Sequence, residues 1–182
     1  MSLNMSKTAK TLSTEADIWK NIKGATDSLV HWTRVEARVG AGVPDINGGY
    51  AGLEFWVELK VCRTVRYATG GLWRPAQVAW QTKRCQIVPD TIWNVVSHPA
   101  GQRIYIYGAD KVLSLNNGED VPSDLSLQLP PNWFQFLDFV IVRGLSDMSA
   151  NTDTVEAANT DTVEAAKTDT VEAAKTDTVE AT

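Results

Sequence analysis

The chain has 182 residues, 43% of them hydrophobic, and a formal charge of −5. No apolar run reaches the roughly 18 residues that a membrane-spanning helix needs. Two cysteines without a CxxC spacing and two separated histidines exclude a disulfide framework and a Cys/His zinc site.

Residues 1–12 read as a loose leader with no apolar segment of the secretory kind. The expected location is therefore cytoplasmic, in a bacterium or a phage-infected host cell, with both thiols reduced. Ser13-Thr14-Glu15, followed by Ala16, Ile18, Trp19 and Ile22, predicts a helix capped by Ser13 or Thr14 and weakened or ended near Gly24. Trp32–Val39 alternates at strand period, and Gly40-Ala41-Gly42 breaks it. Val43–Ile46 resumes an extended segment, and Asn47-Gly48-Gly49 carries a hairpin-turn signal. Leu53–Val61 (LEFWVELKV) predicts an apolar strand interrupted by Glu54, Glu58 and Lys60.

A loop is expected over Tyr67–Gly71, then a helix from Pro75 through about Cys85, since proline suits the first helical turn. Trp56 and Trp80 are assigned to the core. Ile92–Val96 is a short strand or helix; Gln102–Tyr107 is a strand, with Lys111–Leu115 a partner for it across Gly108-Ala109-Asp110. Trp133–Val142 is apolar and long enough to favour a closing helix, one that offers an interface for a homodimer. These elements predict an α/β (or α+β) domain over 13–148, a mixed sheet flanked by helices.

Four octapeptides close the chain, beginning at Asn151, Asn159, Lys167 and Lys175. Their period of eight matches no helical stripe and their apolar content is too thin for a core, so 149–182 reads as an acidic tail outside the fold. The repeats hold eight of the 22 acidic and two of the 17 basic residues, so the body is close to neutral. Within the body no Asp or Glu occurs between Leu59 and Pro89, where Lys60, Arg63, Arg66, Arg74, Lys83 and Arg84 lie. Such a stretch favours a polyanion such as DNA, and the acidic pI of the whole chain is weak evidence against that partner; the alternative is an ordinary solvated face.

The chemistry concentrates at Asp45 and Glu58-Leu59-Lys60. Glu58 and Lys60, two apart on a strand, leave from the same face. Taken alone they read by default as an exposed ion pair of about 0–1 kcal/mol. Twelve residues separate Asp45 from Glu58, enough for the chain to fold back and bring the two acids together. Converging carboxylates repel unless a cation lies between them, and hard oxygen donors favour Mg²⁺ or Mn²⁺, which also take phosphate oxygens. An ammonium group beside such an ion suits activation of water and charge that develops on a phosphate.

The stretch Gly42-Val43-Pro44-Asp45…Glu58-Leu59-Lys60 resembles the signature of the PD-(D/E)xK nuclease superfamily, most closely its archaeal Holliday-junction resolvases and virus-type replication-repair nucleases. Arg74-Pro75-Ala76-Gln77-Val78-Ala79-Trp80 is similar to the helix that follows in those proteins. The resemblance, over roughly 13–85, implies a restriction-endonuclease-like core with four or five strands and a metal-dependent DNA endonuclease active in recombination or repair. It implies Asp45 and Glu58 as metal ligands with the Leu59 carbonyl, Lys60 at the water, and Gln77 turned to the site. It also implies one further acid, Glu15 or Glu36. Arg63, Arg66, Arg74, Lys83 and Arg84 would grip the DNA backbone; Tyr67 and Trp73 read either as stacking residues or, as such aromatics more often are, as core or loop anchors. A site-specific homing-type endonuclease and a noncatalytic DNA-binding protein with the same fold stand as alternatives.

Overall fold

In the computed structural model the described residues are 12–35, 42–64 and 69–146. The chain divides into two compact units, Met1–Gly144 and Leu145–Thr182. Glu36, Arg66, Tyr67 and the repeats lie outside the described residues.

The first unit is α/β. Helix α1 (Glu15–Thr26) is followed by strands β1 (His31–Arg34), β2 (Ile46–Tyr50) and β3 (Leu53–Val61), then α2 (Pro75–Cys85). Strands β4 (Ile92–His98) and β5 (Arg103–Gly108), the short helix α3 (Val112–Asn116) and β6 (Leu125–Gln128) complete the sequence of elements before helix α4 (133–146). Among the described residues the sheet has six strands in chain order, two antiparallel meanders joined by the parallel pair β3/β4 with α2 as its crossover. The sheet is mixed, as expected, with one strand more than the resemblance implies; β6 is short and sits among prolines and serines that conceal it in the sequence.

Parity along the strands separates the two faces. Phe55, Val57 and Leu59 of β3, with Trp93 and Val95 of β4, pack in one apolar core with Ile18 and Ile22 of α1 and Trp133, Phe136 and Val140 of α4. Ile18 and Ile22 lie one helical turn apart, the stripe that fixes which side of α1 faces inward. Trp133 Nε1 donates to Asn21 Oδ1 at 2.7 Å and ties α4 to α1. The opposite face carries α2 and α3 over a smaller cluster of Cys62, Trp73, Val78, Val96, Tyr107, Val112 and Leu115.

Several expectations are corrected. Helix α1 continues past Gly24 to Thr26, a buried residue whose hydroxyl accepts from Trp32 Nε1. Asn47-Gly48-Gly49 is interior strand, and the hairpin turns at Ala51-Gly52, both at positive φ. Gly48 is a packing glycine: a Cβ there would lie 2.7 Å from the Phe55 ring and 2.8 Å from that of Trp32. Residues 109–116 form a 3-10 turn and helix α3, not a strand, because Val112 and Leu115 are spaced to bury together on a helical face. Trp56 and Trp80 are half-buried and meet edge to face at 5.8 Å on the α2 side.

A candidate active site at the β2, β3 and α2 junction

Every second residue of β3 points its backbone at β4: Trp56 N–H donates to the Thr91 carbonyl at 2.7 Å and Cys62 N–H to that of Ser97 at 2.8 Å. Leu59 therefore turns its N–H and C=O the other way, toward β2. β2 starts only at Ile46, opposite Val57, so Leu59 lies beyond its end. Asp45 takes the place of the missing strand, and its Oδ2 accepts the Leu59 N–H at 3.0 Å. Continued by one position, the same register sets Asp45 opposite Glu58. The backbone of Asp45 is fixed in turn, since its carbonyl accepts from Val35 N–H at 2.8 Å.

Glu58 is fully buried on the α2 side of β3. Its Oε1 receives Lys60 Nζ at 2.6 Å and Gln77 Nε2 at 2.5 Å. Gln77 is oriented by its own helix: Arg74 N–H at the start of α2 donates to Gln77 Oε1 at 3.0 Å, which turns the amide's donor end to Glu58. Lys60 is 9% exposed, and its Nζ also lies 4.0 Å from Glu15 Oε1. Glu15 opens α1 behind the Thr14 cap, whose hydroxyl accepts from Asp17 N–H. Removal from water raises the Glu58 pKa from 4.5 to about 7; the charges of Asp45 and Glu15 push the same way, and Lys60 opposes them.

A cleft of about 20 Å³ is lined by Glu15, Trp19, Arg34, Asp45, Ile46 and Leu59. Roughly one water-sized species needs at least 10–15 Å³ of such space. A wider groove of about 460 Å³ is lined by Ser13, Thr14, Arg63, Pro99 and Ala100. Gly42 sets the approach to the site: at φ 104°, a Cβ on it would lie 2.1 Å from the Ala76 carbonyl oxygen. The Gly42–Asp45 segment is thereby packed on the first turn of α2.

Of the residues singled out in the sequence, the structure draws Glu58, Lys60 and Gln77 into direct contact, sets Glu15 next to Lys60, and bonds Asp45 to Leu59. Arg63, Arg74, Lys83 and Arg84 are exposed. Lys83 and Arg84 sit in the last turn of α2, where cations suit the helix dipole in any case. Of the two readings of Trp73 the core anchor holds and the stacking surface does not: it is 3% exposed, and its Nε1 donates to Asn94 Oδ1 at 2.7 Å. Sequence reasoning passed over Arg34 at the cleft, as well as Gln81 and Asn94. The last two had a signal: Gln81 is one turn beyond Gln77, and Asn94 is a lone amide inside the apolar strand IWNVVSH.

Among the described residues no three His, Cys, Asp or Glu side chains form a ready-made metal cage. The donors present still fit Mg²⁺ or Mn²⁺, which take one or two carboxylates and keep several waters. Glu58 Oε2 is buried with no hydrogen-bond partner, an acceptor of the kind that a hard cation satisfies.

No protein-family model matches the chain, and no curated protein matches it in sequence. Among solved structures, the chain is similar to Hjc, a Holliday junction resolvase from the archaeal hyperthermophile Archaeoglobus fulgidus, at 10% identity and a TM-score of 0.41. That likeness covers 64% of this chain and 85% of the other. Among the described residues no helix is long and apolar enough to cross a membrane.

Proposed function

We propose that this protein is a divalent-metal-dependent DNA endonuclease of the PD-(D/E)xK kind, hydrolysing phosphodiester bonds. The observation that carries the reading is Glu58, a buried carboxylate held by Lys60 and Gln77 beside an Asp45 locked to the same strand. A carboxylate kept out of water costs stability, and an ordinary surface ion pair has no need of that cost. Asp45, Glu58 and the Leu59 carbonyl would hold Mg²⁺ or Mn²⁺. The ion, when bound, supplies Lewis acidity at the phosphate and lowers the pKa of water.

The chain's own groups do the rest. Lys60 Nζ, steadied by Glu58 and near Glu15, orients the attacking water and offsets negative charge on the phosphate oxygens. Gln77 fixes the Glu58 carboxylate, and Glu15 completes the acidic set. Arg63 and Arg74 contact the DNA backbone, where charge rather than base identity is read. The motif resemblance favours a branched substrate, a four-way junction, cut by two copies of the chain on opposed strands.

The test is cleavage of linear, nicked, single-stranded and four-way DNA with and without Mg²⁺, beside Asp45→Asn and Lys60→Ala. Each substitution is expected to cut the rate by at least about 100-fold. Undiminished cleavage by both variants would overturn the proposed site.

A further inference from the structure

Behind Glu58 runs a second set of buried polar groups whose direction is fixed. The Trp73 indole can only donate, and Asn94 Oδ1 accepts from it at 2.7 Å. The other end of that amide must then be the donor, and Asn94 Nδ2 donates to Gln81 Oε1 at 2.8 Å. Gln81 is left with its donor end outermost. Its Nε2 is fully buried and has no partner. A buried amide without a partner is destabilising, so this end of the chain has a use to be found.

The geometry limits where that donor can go. Asn94 is the registered neighbour of Glu58 across the parallel pair β3/β4. Gln81 follows Gln77 by one helical turn, and Gln77 already holds Glu58 Oε1. Two amides on one face of α2 thus lie over two neighbouring polar residues of the sheet. Among the described residues of this layer, the buried side-chain oxygen without a partner is Glu58 Oε2. A carboxylate offers about four lone-pair sites, so a bond from Gln81 leaves Oε2 able to face a cation as well.

We infer that Gln81 is a positioning residue for Glu58: both atoms are unpaired in this structure, and a turn of the carboxylate lets the chain Trp73–Asn94–Gln81 end by donating to Glu58 Oε2 and so set its rotation. This rests on the nuclease reading for its purpose and on the buried polar layer alone for its geometry. Partners behind a metal ligand orient it, and their loss costs about 10–100-fold in affinity or activity.

The variant is Gln81→Met, which keeps the size and removes the donor. The control is Val78→Ala, a buried α2 position of the apolar cluster. Mn²⁺ titration of the full chain by calorimetry, without DNA, is expected to show about tenfold weaker binding for Gln81→Met and no change for the control. In four-way DNA cleavage, kcat should fall about tenfold with KM within about twofold. Unfolding temperatures of Gln81→Met, Glu58→Gln and the double variant should be non-additive, since the inferred bond couples the two groups.

If Gln81→Met fails to fold, Trp73→Phe removes the first donor and should act in the same direction. Additive unfolding shifts, or wild-type Mn²⁺ affinity in a folded variant lacking the donor, would overturn the inference. Wild-type chain that takes up no Mn²⁺ defeats the nuclease reading separately, and the unfolding cycle still decides whether Gln81 bears on Glu58.

Discussion

On one side of β3, Phe55, Val57 and Leu59 meet apolar groups of α1 and α4, and Trp19, Trp32, Phe55, Phe136 and Trp133 form a run of edge contacts. On the other, Glu58 and Lys60 are buried beside Asn94 and under Gln77 and Gln81. Nine consecutive residues serve both faces because side chains alternate. The first face contributes stability by excluding water. The second gives up stability to keep a carboxylate and an amine close together in a poor solvent for charge. Fold and chemistry are thus divided by the parity of residue number.

The largest effect that sharpens this contrast is Phe55→Ala. It leaves a cavity between Trp32 and Phe136 and should lower stability by about 3–5 kcal/mol, read by denaturant unfolding. A loss below about 1 kcal/mol would mean that the aromatic run is not the support it looks to be.

The polar face should respond to pH instead. Native Glu58 keeps its proton up to about pH 7, whereas the unfolded chain releases it near 4.5. Between those values the folded state binds the extra proton, so the metal-free protein should lose stability as pH rises through the window. In Glu58→Gln this decline should vanish. Parallel pH curves for the two proteins would remove the buried carboxylate as its source.

The smallest effect is Thr14→Ala. Loss of the cap on α1 should cost about 1 kcal/mol in thermal unfolding. An unchanged melting temperature would show that Glu15 is held by packing rather than by its cap.

What the sequence disclosed follows the same division. β3 and α2 were legible to the residue, because a dense apolar run and a proline-led helix are strong local signals. The cap of α1 was legible only as Ser13 or Thr14, of which the structure selects Thr14, and the shared face of Glu58 and Lys60 was legible outright. The hairpin turn was misplaced because glycine serves both turns and tight packing, and only the neighbouring rings reveal which applies at Gly48. Residues 111–115 suit a strand or a helix, and the apolar cluster under α3 decides. Asp45 was legible as an acid after a proline, but its bond to the Leu59 N–H depends on where β2 begins. The Trp73–Asn94–Gln81 chain spans three elements, so no local pattern announces it.

The fit of Gly42 on Ala76 has a consequence for how this protein can change. The acidic segment and the first turn of α2 are interlocked with no room for even a methyl group between them. An insertion in either would displace Asp45 and Gln77 together, so the two tolerate drift only as a pair, while the surface turns elsewhere are free to lengthen.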